Sequence, residues 1–456
     1  MRDMTSGSPV KLVLAFSLPM ILGSAFQQLY NTVDSIVVGR FVGANALAAV
    51  GAAFPAMFFV VSFMMGLSMG ITVIVAQLFG AGETDRLKST FSTSFITMLL
   101  LTAVSTVAGL LLIDPLLRLL NTPAEIFADT ASYLKIVFVG LLPMVIYNFY
   151  SAVLRGIGDS KTPLYFLIIA SVVNVVLDLY FVINLGLGVA GVAYATVAAQ
   201  AISSVFCIVY TYRKVPIFRV GLREMTFDRS LFRLVIRYGV PTAIQQCVVS
   251  LGMMAVSGLV NSFGAVTMAA YTAGNKIETF VALPAMNIGN ALSTFVGQNA
   301  GAGKNDRVRK GFLSITKINA LLCVVLSLFI IPFAKYLIMI FIDVNEAPLV
   351  IEQGAEYLVV MFIFYALQAV MFCLQGFFRG VGDMKTALAV SLVALGVRCI
   401  SAYSMAPFVQ HSSVWYSIPV GWISGCLVGL IAYRSGRWTR FAITGKSEEN
   451  PPEQLA

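Results

Sequence analysis

Charge is scarce in this chain. Lysine, arginine, aspartate and glutamate together make up 11% of the 456 residues, whereas 59% of the residues are hydrophobic. Soluble proteins carry about 25% charged residues, so this composition excludes an ordinary soluble domain. The apolar residues gather in runs of about 18 residues or more, long enough for a helix to cross a bilayer. The runs lack the alternation typical of membrane barrels, so they predict an all-α integral membrane protein.

Histidine is almost absent, and the cysteines have no recognisable spacing. His411 is the one histidine, and the six cysteines lie in apolar runs without a CxxC or metal-ligand pattern. These absences argue against a zinc site, a disulfide framework and an integral-membrane enzyme, which would need clustered histidines or carboxylates. The segment 156–162 reads GIGDSKT, which lacks the GxxxxGK[ST] spacing of a nucleotide-binding loop. We therefore expect neither enzyme activity nor a cofactor.

Two phrases of the sequence occur twice. Residues 77–86 read QLFGAGETDR and residues 298–307 read QNAGAGKNDR, at an offset of 221. Residues 154–162 read LRGIGDSKT and residues 378–386 read FRGVGDMKT, at an offset of 224. Two independent phrases with nearly one offset indicate a tandem duplication, which is typical of two-lobed transporters.

The apolar runs predict twelve transmembrane helices, six in each copy. Because six is even, both copies enter the membrane in the same orientation, and the repeat is parallel. We expect an N-lobe at 1–212, a cytoplasmic linker at 213–233, a C-lobe at 234–433 and a cytoplasmic tail at 434–456. The predicted spans are 13–36, 46–77, 91–113, 133–156, 163–185, 189–212, 234–260, 267–297, 312–337, 355–378, 385–407 and 412–433.

Basic residues set the orientation of these spans. With the N-terminus in the cytoplasm, 24 of the 30 lysines and arginines lie on the cytoplasmic side, as the positive-inside rule requires. The net charge of +9 therefore reflects topology, and no nucleic-acid partner is expected. We predict a multi-pass protein of the plasma (inner) membrane with both termini cytoplasmic.

Both repeated phrases fall in predicted cytoplasmic loops. We expect their glycines to take the left-handed conformation that closes a helix, and the threonines that end the second phrase to cap the next helix. Pairing of these loops across the lobes, as a gate, is the alternative. The residues concerned are Gly80, Gly82, Gly301, Gly303, Thr162 and Thr386.

Ionisable side chains inside the spans are functional candidates, because each is costly in the bilayer unless it faces a cavity or a partner. Asp34 lies in the first span and Asp178 in the fifth, with Asn174 one turn before Asp178 on the same face. Two carboxyl groups in one apolar site disfavour joint ionisation, so the pair can bind a proton near neutral pH. The same groups can instead ligate Na⁺. Pro19 permits a kink in the span of Asp34, either static or coupled to protonation.

The second lobe carries different charges. Lys276 and Glu278 lie in its second span and Arg398 in its fifth, and they form either a structural ion pair or a substrate-binding carboxylate balanced by a base. With Tyr147 and Gln27 of the first lobe, they are the candidates for lining a substrate cavity. Abundant methionine and aromatic residues suit flat, apolar, cationic ligands.

The chain resembles the multidrug and toxic compound extrusion (MATE) family over nearly its whole length. The resemblance rests on Leu18-Pro19, Val33-Asp34 and Val38-Gly39, and on both copies of each repeated phrase. Asp34, Asn174 and Asp178 match the first-lobe cation site of the DinF-type branch. The NorM-type branch carries essential acids in helices 7 and 10; here the seventh span has none and the tenth offers only Gln368 and Gln375.

The resemblance implies export of drugs or amphipathic, often cationic, small molecules by alternating access. With no ATP site in view, an antiported cation should drive export, and H⁺ is favoured over Na⁺ as the coupling ion. Small-molecule substrates and membrane lipid are the expected partners of a monomer. A lipid-linked saccharide flippase of the same superfamily is the alternative, although extra helices and a strongly charged cavity would then be expected.

Overall fold

The computed structural model describes residues 2–342 and 347–443, and every regular element within these ranges is helical. Most of the predicted tail, 444–456, lies outside them. Within these ranges, ten helices are long and apolar enough to span a membrane, and two bent pairs bring the number to twelve if each pair crosses once. This confirms the predicted all-α membrane fold.

The helices are α1 Pro9–Val37, α2 Ala44–Ala81, α3 Thr84–Leu119, α4 Ala124–Val139, α5 Leu141–Gly156, α6 Lys161–Leu179, α7 Gly188–Lys214, α8 Arg229–Ser262, α9 Ala265–Gly301, α10 Asn305–Met339, α11 Pro348–Ile363, α12 Tyr365–Val381, α13 Met384–Val409 and α14 Ser412–Arg434.

The spans predicted as single helices at 133–156 and 355–378 are each two helices. α4 and α5 meet at Gly140 with a bend of 47°, and α11 and α12 meet at Phe364 with a bend of 54°. Pro143, in the first turn of α5, has no N–H to continue the helical ladder across the first bend. The second bend has no proline or glycine beside it, and nothing local explains it. Because the two bends are 224 residues apart, they belong to the duplicated unit.

Two π-helical segments break the symmetry between the copies. One, Val38–Val42, continues α1, and the other, Tyr180–Asn184, continues α6. At the corresponding positions of the second copy, α8 and α13 have α-helix or a turn. Single π-helical turns occur frequently at functional sites, and these two follow closely after Asp34 and Asp178.

The chain forms two compact units that do not follow the sequence repeat at every helix end. The first unit comprises Leu18–Val75 and Thr84–Gln246. The second comprises Arg2–Ser17, Ala76–Glu83 and the described residues from Cys247 onward. α1, α2 and α8 are therefore continuous helices whose two ends belong to different units.

Each unit has its own apolar core. In the first unit the core includes Leu134 and Phe138, with α7 packed against α4, α5 and α6. In the second unit it includes Phe362 and Trp415, with α9 packed against α10, α11 and α12. Van der Waals packing of these side chains stabilises each unit. The hydrophobic effect contributes little between membrane helices, because lipid tails are as apolar as the side chains.

The repeated phrases 77–86 and 298–307, here called the first and second GAG phrases, lie at the ends of α2 and α9. Within the second unit, these two helix ends touch through their backbones. A Cβ on Gly80 would lie 1.9 Å from the carbonyl oxygen of Gln298, and one on Gly301 would lie 1.9 Å from that of Gln77. These two glycines are therefore needed for close approach, and the prediction of a left-handed conformation is wrong for them. That conformation is confirmed for the second glycine of each phrase, with φ of 74° in both copies.

Aspartates, not threonines, cap the helices that follow the second phrase. Asp383 Oδ1 accepts the Thr386 N–H at 3.1 Å, and its Oδ2 accepts the threonine hydroxyl at 2.6 Å. Asp159 makes the same two bonds to Thr162, at 3.0 and 2.7 Å. The predicted caps at Thr162 and Thr386 are thus wrong, because the carboxylate one turn earlier reaches the free N–H groups and the threonine donates to it.

Candidate functional site: paired carboxyl groups in the first unit

The structure brings Asp34, Asn174 and Asp178 together inside the first unit. Asp34 lies near the end of α1, whereas Asn174 and Asp178 lie one turn apart near the end of α6. Asn174 and Asp178 are 1% and 0% exposed, and Asp34 is half-buried. Asp34 and Asp178 therefore share one site, and almost no water reaches Asp178.

The Asn174 amide bridges the two carboxyl groups. With its nitrogen facing them, Nδ2 donates to Asp34 Oδ1 at 2.9 Å and to Asp178 Oδ2 at 3.1 Å, while its oxygen accepts the Thr196 N–H at 3.3 Å. The opposite orientation would place the amide oxygen against two carboxyl oxygens, so the bonding pattern selects the first. The asparagine is thereby fixed as a donor to both acids.

The two carboxyl groups are also close enough to hydrogen-bond to each other. Two ionised carboxylates have no hydrogen to share, so a hydrogen bond between them would need a proton on one of them. The other oxygen of Asp178, Oδ1, is buried without a hydrogen-bond partner. The site thus offers both a position for one proton and a free acceptor.

Tyr30 and Thr196 complete the cluster, and the sequence did not point to either. The Tyr30 side chain is hydrogen-bonded to Asp34 and to Thr196, whose hydroxyl also donates to the Val192 carbonyl at 3.0 Å. Tyr30 precedes Asp34 by one helical turn, a spacing that could have indicated it. Thr196 comes from α7 and had no comparable signal.

The first-unit candidates for the substrate cavity lie apart from these acids. The Tyr147 hydroxyl, on α5, donates to the Pro163 carbonyl at 3.1 Å, at the beginning of α6 rather than near its end. Gln27 is exposed on α1, about two turns before Asp34. Pro19 is buried inside a continuous α1. Their proposed roles stay predictions.

In the second unit, Glu278 lies in a polar cluster within the apolar core. The Tyr357 hydroxyl donates to Glu278 Oε2, and the Gln368 side chain is also hydrogen-bonded to this carboxylate. Arg398 is close enough to interact electrostatically with Glu278 and is hydrogen-bonded to Tyr271. All of these neighbours are donors or cations, so each of them opposes the desolvation that burial imposes on a charged carboxylate.

Lys276 points away from this cluster. Its ammonium lies 5.7 Å from the centroid of the Phe341 ring, in an exposed groove of about 270 Å³ between α9 and the end of α10. Among the described residues, neither Lys276 nor Arg398 forms an ion pair with Glu278 within 4.0 Å. The structure therefore associates Glu278 with Arg398 at longer range and separates it from Lys276.

Comparison with known proteins agrees with the duplicated sequence. The sequence model of the MatE family matches residues 19–180 and 241–404, one match in each copy. This chain belongs to the MatE family. The MatE chain is 32% identical over 441 residues to the probable multidrug resistance protein YpnP of Bacillus subtilis, covering 96% of this chain and 97% of that protein.

A more distant relative and a solved structure extend the comparison. The probable multidrug resistance protein NorM of Thermotoga maritima is 25% identical over 446 residues, covering 95% of this MatE chain and 94% of that one. A solved structure described as the outward-facing conformation of a multidrug resistance MATE family transporter of the MOP superfamily has a TM-score of 0.89 and 25% identity, covering 96% and 98% of the two chains. Relatives of differing names match, so they support the family and not one branch of it.

Proposed function

We propose that this MatE protein exports drugs or other amphipathic, often cationic, small molecules in exchange for a cation that binds at Asp34, Asn174 and Asp178. H⁺ is the preferred coupling ion. The observation that carries this proposal is the placement of the two carboxyl groups around the Asn174 amide, within reach of each other, where one shared proton would join them. The relatives described as multidrug resistance proteins supply the substrate class.

The burial of the pair supports a coupling role over a structural one. A fully buried carboxyl group with a partnerless oxygen is costly unless an ion or proton neutralises it. Binding a proton removes the negative charge, and releasing it restores the repulsion between the two acids. The helices that carry them, α1 and α6, would then favour different arrangements in the two protonation states, as alternating access requires.

Na⁺ is the second candidate for the same site. Carboxylate and amide oxygens are hard ligands that suit such a cation, and Asp178 Oδ1 is available to one. With the Asn174 nitrogen turned toward the acids, however, the amide oxygen faces the Thr196 N–H instead of the site. For Na⁺ to be bound by all three side chains, the amide would have to turn its oxygen toward the acids.

The test is substrate efflux from vesicles that contain the purified protein, with a pH gradient or a Na⁺ gradient imposed separately. We expect the pH gradient alone to drive export. Asp34→Asn and Asp178→Asn should each abolish coupled export, because neither amide can bind and release a proton. Asp114→Asn is the matched control, since Asp114 is an exposed acid of the same unit, on α3.

Export driven by Na⁺ alone would reassign the coupling ion. Unchanged export in Asp34→Asn would remove the site from the mechanism. The alternative function, a lipid-linked saccharide flippase, predicts translocation of such lipids and no gradient-driven drug efflux.

We further propose that the protein is a monomer in the plasma membrane, that it belongs to the DinF-type branch, and that both termini are cytoplasmic. The match of Asp34, Asn174 and Asp178 supports that branch, and the positive-inside pattern supports that topology.

A further inference from the structure

The N-terminal segment Met4–Gly7, here called the strap, is bound by the second GAG phrase. Gln298 Oε1 accepts the Met4 N–H at 2.9 Å, and Asn299 Nδ2 donates to the Met4 carbonyl at 3.1 Å. Lys304 Nζ donates to the Thr5 carbonyl at 2.9 Å. The Met4 side chain is fully buried. An irregular segment is thus held by side chains of one repeated phrase.

Arg307, the last residue of the same phrase, holds the rest of the strap. Its Nη1 donates to the Gly7 carbonyl at 2.7 Å, and its Nη2 donates to the carbonyls of Ser6 and Met4 at 2.9 and 3.0 Å. The guanidinium also lies 5.4 Å from the centroid of the Phe295 ring. The planar fork of an arginine suits several acceptors at once, and its charge strengthens each bond.

The first copy of the phrase binds backbone from the other end of the chain. Gln77, the counterpart of Gln298, accepts the Ile443 N–H at 2.8 Å with Oε1 and donates to the Gly380 carbonyl at 2.8 Å with Nε2. Both glutamines are completely buried. In each copy, therefore, the first residue of the phrase receives a backbone N–H from a segment near one chain terminus.

The strap is connected directly to the helix that carries Asp34. α1 begins at Pro9 and continues without interruption to Val37. Its first residues, to Ser17, belong to the second unit with the strap, and from Leu18 it belongs to the first unit. The strap therefore anchors one end of α1, on the side predicted to be cytoplasmic.

We propose that the second GAG phrase is a binding site for an extended peptide backbone, and that the strap is its ligand and acts as a latch that releases α1 in each transport cycle. This proposal rests on the transport function proposed above. All but one of the bonds run from side-chain donors to backbone carbonyls, and the remaining one runs from the Met4 N–H to the Gln298 side chain. Water can replace each of these bonds, and one methionine supplies the buried apolar contact. Such an attachment can open and close, in contrast to a helix packed along its length.

Cross-linking tests whether the latch must open. The double variant Thr5→Cys/Lys304→Cys, placed in vesicles, is joined by a short reducible thiol cross-linker; Thr5 is half-buried and Lys304 exposed, so both are accessible. We expect the initial rate of gradient-driven efflux to fall at least about tenfold and to recover on reduction. The cross-linker applied to the wild-type protein is the control for its six native cysteines. Full efflux in the cross-linked protein would refute the latch.

Thiol labelling tests the same proposal without transport. In Met4→Cys the thiol is buried while the strap is bound, so it should react slowly with a water-soluble maleimide. Adding Arg307→Gln should speed the reaction at least about tenfold, because it removes three bonds to the strap. Arg2→Ala is the matched control, since Arg2 is an exposed cation two residues before Met4 and outside the strap. Equal rates in the two backgrounds would overturn the proposal, even if efflux were absent and the proposed transport function had failed.

Discussion

Replacing Gly301 by alanine should destabilise the protein by about 2 kcal/mol. The added Cβ would lie 1.9 Å from the Gln77 carbonyl oxygen, whereas ordinary contacts begin at 3.4 Å, so the two helix ends must separate by about 1.5 Å. Overpacking costs about 1–3 kcal/mol, and a backbone atom cannot move aside as a side chain does, so we take the upper value. The better helix propensity of alanine returns about 1 kcal/mol.

The assay is thermal unfolding of the purified protein in detergent, compared with a glycine that has free space around it. Gly51, inside α2, has no heavy atom within 4 Å of its Cβ position, so Gly51→Ala should be neutral or stabilise by up to about 1 kcal/mol. Gly80→Ala should behave like Gly301→Ala, because the contacts are reciprocal. If Gly301→Ala proved as stable as Gly51→Ala, the reasoning from backbone contact would be wrong.

Two further predictions concern charges and caps. Asp383→Ala should lower stability by about 1 kcal/mol, because the first N–H groups of α13 lose their acceptor; a melting temperature equal to that of the wild type would contradict this. Glu278→Gln should lower stability by about 1 kcal/mol, because the Tyr357 hydroxyl loses a charged acceptor and Arg398 loses the carboxylate that balances its charge at longer range. Arg398→Gln on that background should restore part of the loss, and an additive loss in the double variant would show that the two charges do not interact.

The spans and the acidic cluster could be predicted because their signals are local. A run of apolar residues sets a helix whatever its neighbours are, and Asn174 and Asp178 share a face because they are four residues apart. The meeting of Asp34 with Asp178 was expected from their place in one lobe and from the family resemblance. In contrast, the bend at Phe364 could not be predicted, because no proline or glycine lies beside it.

What the sequence did not predict depends on distant partners. The need for Gly80 comes from Gln298, more than 200 residues away, and not from the loop in which the phrase was expected to act. Thr196 joins the acids only because α7 packs against α6. Lys276 and Glu278 are two residues apart, but on a helix such neighbours point in different directions, so the suggested pair between them does not form in the described structure.

The reciprocal contact of Gly80 and Gly301 bears on the history of the chain. After a duplication, most positions of the two copies are free to diverge independently. These two glycines are not, because each fits against the backbone of the other copy's phrase, and an alanine in either would push apart the same pair of helices. A segment of each copy has thus become the other's packing surface, and selection on one acts on both. This shared constraint is a physical reason for both glycines to persist at this crossing, whereas the acids of the first unit have no acidic counterparts in the second.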